Sequence, residues 1–123
     1  MKVGFVVIYV GDTDMCARFW TDTVGMVERQ RFAVGSLSVM EVGFADQEFS
    51  LQLVPLEMML ENPDNLDLAT PSIAFRVTDL DAARAQLLSR GVQATEITSD
   101  RGPRSFAFPD PEGRWFAVLG ATD

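Results

Sequence analysis

The sequence predicts an α+β fold of two tandem βαβββ modules within one domain, residues 1–123. Three observations carry that expectation. The first is an internal repeat: Val6-Val7-Ile8-Tyr9-Val10-Gly11-Asp12-Thr13-Asp14 lines up with Ile73-Ala74-Phe75-Arg76-Val77-Thr78-Asp79-Leu80-Asp81. In each copy an apolar period-two run leads into Asp-x-Asp and then into a helical pattern. The second is that three strand-like runs follow each helical stretch. The third is size: 123 residues, 47% of them apolar, can bury one core but are too few for two ordinary domains. Module one covers about 1–55, a connecting loop about 56–70, and module two about 71–123.

Taken in order, the first strand ends at Gly11 and a helix follows over about 13–23. Cys16, Phe19, Trp20 and Thr23 share one stripe of that helix. Strands are expected over about 27–34, 37–42 and 49–54, which are rich in β-branched and aromatic residues. Gly35-Ser36 and residues 43–47 supply the turns between them. Asn62-Pro63-Asp64-Asn65 marks the connecting loop. The second helix, about 80–90, places Leu80, Ala83 and Leu87 on its stripe and stops at Gly91. Its strands are expected over about 92–97, 104–108 and 115–119, with Asp110-Pro111-Glu112-Gly113 turning between the last two. Asp12 and Asp79 are N-cap candidates, and Asp14 and Asp81 suit a first helical turn, where the dipole favours anions. Capping accounts for these four carboxylates without a metal.

Composition excludes more than it assigns. With no histidine, Ser-His-Asp and Cys-His catalysis, imidazole acid–base work and imidazole metal sites all drop out. The single Cys16 cannot form an internal disulfide, which suits a reducing compartment. Sharing its stripe with core residues and lacking a basic neighbour, Cys16 is expected to be buried and inert. No apolar stretch approaches the ~20 residues of a membrane span, and no signal-peptide pattern opens the chain, so a cytoplasmic location is expected. The net charge of −8 and the absence of a Lys/Arg run argue against nucleic acid and anionic membrane as partners. That field would draw a cationic small molecule, although acidity also simply keeps a chain soluble.

Two segments carry a family resemblance. Val10-Gly11-Asp12 leading to Arg18-Phe19-Trp20-Thr21-Asp22-Thr23-Val24-Gly25-Met26 is similar to a helix ending in an FW…D…LG pattern. Phe106-Ala107-Phe108-Pro109-Asp110-Pro111-Glu112-Gly113-Arg114 is similar to an F-x-F-x-D-P-x-G-N hairpin. Together with the doubled module they resemble the vicinal oxygen chelate superfamily of glyoxalases, ring-cleaving dioxygenases, fosfomycin resistance enzymes and bleomycin resistance proteins. The resemblance implies that each module curls its strands into half of an open barrel around a cavity. Enzymes of that superfamily hold a divalent metal there, at positions that fall on Phe5, Gln52, Ser72 and Ala117 of this sequence. Phe5 and Ala117 offer no donor atom, Gln52 a neutral amide oxygen and Ser72 a poor hydroxyl. The resemblance therefore narrows to metal-free, bleomycin-resistance-type binding proteins, small acidic two-fold dimers that sequester a drug unchanged.

Strand alternation assigns the residues expected to line that cavity. If Phe5 faces inward, so do Val7 and Tyr9. The same parity selects Ser50, Gln52 and Val54, then Ser72, Ala74 and Arg76, and finally Trp115, Ala117 and Leu119. Phe5 reads equally as ligand wall or as core filling a vacated position, and Trp115 has the same two readings. Arg76 would need an internal acid, with Glu41 a partner by parity, or a bound anion. Arg104 is a second cation to watch, and Met59, beside Met58, suits an adaptable pocket lip. Candidate ligand-binding residues are thus Phe5, Tyr9, Gln52, Met59, Ser72, Arg76, Arg104 and Trp115, with no catalytic residue, metal or cofactor. The expected function is resistance-type sequestration of an aromatic natural product or antibiotic, with cationic molecules among the candidates, by a homodimer. The alternative is a metal-independent enzyme of the same fold using Tyr9, Arg76 or a carboxylate, although no nucleophile with an adjacent base supports it.

Overall fold

The structure is a computed structural model that describes residues 5–61, 68–69, 73–99 and 104–120. The chain divides into two compact units, residues 1–71 and 72–123, each built on an open sheet. The first unit runs β1 (Val6–Val10), α1 (Thr13–Arg18), β2 (Val27–Val34), β3 (Leu37–Gly43) and β4 (Leu51–Pro55). Its strand order is β1-β4-β3-β2, with β1 parallel to β4 and the other pairs antiparallel.

Asp12 caps α1 as expected, its Oδ1 accepting the Met15 N–H at 3.0 Å. The single helix expected over 13–23 is instead α1 followed by a wider π-helical turn, Phe19–Val24. That turn closes at Gly25, where φ is +105°, and the N–H groups of Gly25 and Met26 both donate to the Trp20 carbonyl. Thr21 also bonds back to the Ala17 carbonyl at 3.0 Å, a competing bond that disturbs regular helix. Cys16, Ala17 and Trp20 are buried, and Phe19 meets Trp20 edge-on with ring centroids 5.2 Å apart. Ile8, Val10, Met40, Val42, Leu51 and Leu53, all on one parity of the sheet, complete this core.

Beyond β4 the chain makes a 3₁₀ turn, Leu56–Met59, within the expected connecting loop. The second unit contains β5 (Ala74–Val77), α2 (Leu80–Ser89), β6 (Ser105–Pro109) and β7 (Trp115–Gly120), in the order β5-β7-β6. Asp79 caps α2 with φ and ψ of −126° and 99°, against −125° and 100° at Asp12, so the repeat is geometric as well as sequential. Gly91, at φ +82°, ends the helical path. Phe108 and Phe116 are buried against half-buried Phe75, with centroids 5.9–6.2 Å apart, and Phe106, Val118, Leu80 and Leu87 pack the same core.

The strand expected over 92–97 is not one. The Thr95 N–H reaches the Ala107 carbonyl, but Ala107 returns its own N–H to the Thr95 hydroxyl at 2.9 Å. The Thr95 carbonyl is taken by Arg84 Nε at 2.7 Å. Side chains thus occupy groups a regular ladder would use, reciprocal backbone pairing with β6 is confined to the isolated bridge Thr98–Ser105, and among the described residues the second sheet has three strands. Among the described residues, no helix is long and apolar enough to cross a membrane.

Candidate functional site

Each sheet packs one face into its core, and its other, open face is only partly exposed: Val39 and Val54 are buried on that face of the first sheet. In the first sheet the open face is organised in rows by strand register. Val7, Gln52, Glu41 and Gln30 lie side by side across β1, β4, β3 and β2. The neighbouring row holds Tyr9 beside Val54 on one side and Val39 beside Phe32 on the other. Tyr9, Gln52 and Glu41 are half-buried, Val39 and Val54 are buried, and Phe32 is 39% exposed.

A bulge builds this face. Glu28 sits opposite Val42, yet Gln30 sits opposite Glu41, so Arg29 is the extra residue. Without it Gln30, Phe32 and Val34 would point to the helix side. Arg29 is held by Glu48 O at 2.9 Å and Ser50 Oγ at 3.3 Å, and it also donates to the carbonyls of Phe44 and Gln47.

In the second sheet the open face is small and flat at its centre. Ala74, Ala117 and Ala107 form one in-register row, and Arg76, Leu119 and Ser105 form the next. Trp115 opens β7 opposite Pro109, two residues before Ala117, and is 49% exposed. The hairpin that presents it is set by Asp110, whose buried carboxylate accepts the N–H groups of Glu112 and Arg114 and the Arg114 guanidinium, each at 2.9 Å. Partial burial works against the Arg114 charge. The hydrogen bonds to Asp110 and Glu112 outweigh it and hold the Arg114 pKa above the ordinary guanidinium value.

The expected site residues distribute unevenly. Phe5, 43% exposed, lies just before β1 and outside the sheet, whereas Gln52 lies on β4 of the first sheet beside Val7. Arg76 and Trp115 share the parity of the alanine row in the second, and Arg76 Nη1 lies 3.5 Å from the Gly120 carbonyl. Arg104 instead turns to α2, 3.3 Å from Asp81, in an exposed ion pair. Met59 lies half-buried on the 3₁₀ turn, off the sheet. Ser72 lies outside the described residues. Sequence parity missed Gln30 and Phe32, which only the bulge brings to the open face.

The metal-binding positions do not form a competent donor set. Phe5 and Ala117 carry no donor atom, Gln52 contributes one neutral amide oxygen and Ser72 in the sequence only a hydroxyl, whereas a divalent metal takes several good N, O or S ligands. Among the described residues, no three His, Cys, Asp or Glu side chains gather where a metal ion could sit. A depression of about 270 Å³ lies at the corner of Gly11, Thr13, Ser36 and Pro55. Two of its acids are already committed, Asp12 to the helix cap and Asp14 to Arg31 at 3.6 Å.

Comparison with known proteins places these features. The family model of the Glyoxalase/Bleomycin resistance protein/Dioxygenase superfamily matches residues 2–118. TnmS3, an antibiotic binding protein from Streptomyces sp. CB03234, is 22% identical with a TM-score of 0.82, over 99% of this chain and 97% of its own. UcmS2 is 22% identical with a TM-score of 0.80, over 98% of each chain. A superfamily member from Sphaerobacter thermophilus DSM 20745 is 22% identical with a TM-score of 0.79, again over 98% of each. At this identity the likenesses show the fold. No curated protein matches the sequence.

Proposed function

The chain belongs to the glyoxalase, bleomycin resistance protein and dioxygenase superfamily, and on that premise we propose that it binds an aromatic small molecule and sequesters it unchanged. The observation that carries the proposal is Trp115, half in water beside the row Ala74-Ala117-Ala107. Small side chains leave the sheet flat next to an indole, the arrangement that a planar ring can stack on. An isolated exposed tryptophan would mean little, but this one borders a row of three alanines. The similarity to TnmS3, an antibiotic binding protein, supports an antibiotic or related natural product as the ligand.

The proposal includes independence from metal, because the positions that would hold one carry a phenyl ring, a methyl group, a neutral amide and a single hydroxyl. It also includes a two-fold homodimer, in which a second copy shelters apolar side chains that one chain leaves in water. The test is a thermal-shift screen of polyaromatic and cationic antibiotics, followed by incubation of each stabilising compound in excess. Binding of about one equivalent per chain with the compound recovered intact supports sequestration. Conversion of many equivalents would assign an enzyme instead.

A further inference from the structure

We propose that the open face of the first sheet selects flat aromatic ligands bearing a protonated amine, and that Glu41 is the residue recognising the cation. The inference rests on the reading that the chain binds an aromatic small molecule, but it is argued from the first unit alone and names a ligand class and a specificity-determining residue there. Its basis is the pairing of two rows. In one, Glu41 stands between Gln52 and Gln30 by strand register. In the adjoining row, Tyr9 and Phe32 flank Val54 and Val39.

Neighbouring strands lie about 4.8 Å apart, so the three polar groups span roughly 10 Å, the scale of a fused-ring system. Tyr9 and Phe32 stand on the two edge strands, about 14 Å apart, so a ring laid along the apolar row contacts Phe32 at one end and directs a substituent toward Glu41. Among the described residues, no hydrogen bond or ion pair engages the Glu41 carboxylate, although the side chain is half-buried. A partly desolvated carboxylate gains most from a charged donor, and charge-assisted hydrogen bonds are about twice as strong as neutral ones. The flanking amides, each able to donate and accept, can complete the hydrogen bonds of an ammonium or of neighbouring ring oxygens. No cation stands in this row to compete for Glu41, and the chain's net charge of −8 favours arrival of a cation.

The test uses two probes of nearly one shape, 9-aminoacridine and acridine, titrated into the full chain at slightly alkaline pH, where only the first is protonated. The expected result is a preference of about tenfold or more for 9-aminoacridine, reduced to within about twofold in Glu41→Gln. Asp46→Asn, an equal charge change in an exposed loop, keeps the preference. Phe32→Ala weakens both probes alike, as loss of a stacking surface requires. Should Glu41→Gln fail to fold, Glu41→Ala carries the same comparison. Equal binding of both probes to the wild type, or an unchanged preference in a folded Glu41 variant, overturns the assignment and leaves ligand binding intact. Failure of both probes to bind, while an antibiotic from the screen does, overturns the ligand class alone. Failure of every compound removes the underlying binding reading.

Discussion

The Arg29 guanidinium passes so close over Gly43 that a Cβ at position 43 would stand 2.8 Å from Arg29 Nε and 2.7 Å from Phe49 O. Only glycine leaves room for that crossing. Because Arg29 is the bulged residue of β2, Gly43 indirectly decides which side chains of β2 reach the open face. Gly43→Ala should therefore cost about 1–3 kcal/mol, the usual cost of overpacking. Urea unfolding measures the loss, and amide exchange in residues 44–50 should quicken, because Arg29 ties that loop by its carbonyls.

Asp12 and Asp79 cap their helices with matching geometry and with 3.0 Å bonds in both cases. Asp12→Ala and Asp79→Ala should each lower stability by about 1 kcal/mol. The double variant should lose close to the sum, since each cap serves a different helix. Thermal unfolding of the three variants checks both statements.

Asp110 is buried and meets three donors, and its turn sets the hairpin that carries Trp115. Asp110→Ala should cost about 1.5–3 kcal/mol, the range for hydrogen bonds to a charged group. The same variant should weaken binding of any ligand that stacks on Trp115. Equilibrium unfolding and ligand titration on the folded variant separate the two effects.

Much of this architecture is legible in the sequence, for physical reasons that differ by element. Asp-x-Asp before an apolar stripe is a cap signal, and both caps form where it stands. The Asp110-Pro111-Glu112-Gly113 turn is equally local, and Gly113 takes φ +82° in it. Strand parity placed Tyr9, Gln52, Arg76 and Trp115 on open faces because alternation is a property of the backbone. What parity could not see is a change of parity. The polar run Glu28-Arg29-Gln30-Arg31 has no alternation to mark a bulge, so Gln30 and Phe32 were hidden. Residues 92–97 look like a strand, but Thr95 and Arg84 spend the ladder's hydrogen-bonding groups on side-chain bonds. Arg104 was assigned by its charge alone, while its partner Asp81 lies 23 residues earlier in the chain.

Stability should not depend on a divalent metal. Phe5 and Ala117 supply no ligand atom, so a group that binds only the native state is missing from these positions. The melting temperature should stay within about one degree on adding zinc, nickel, iron or a chelator. Phe5→His together with Ala117→Glu would add an imidazole and a carboxylate, and any metal response should appear only in that double variant.

The central claim is that Trp115 is a ligand-stacking surface rather than core. Trp115 is half exposed, whereas the other indole, Trp20, is fully buried, so quenching by a bound ligand should come from Trp115. The most direct measurement is a fluorescence titration of wild type and Trp115→Phe with a compound identified by the thermal-shift screen. The account predicts saturable quenching in the wild type, loss of that quenching in the variant, and roughly two- to tenfold weaker binding. Unchanged affinity in a folded Trp115→Phe protein, with no indole quenching in the wild type, would contradict it.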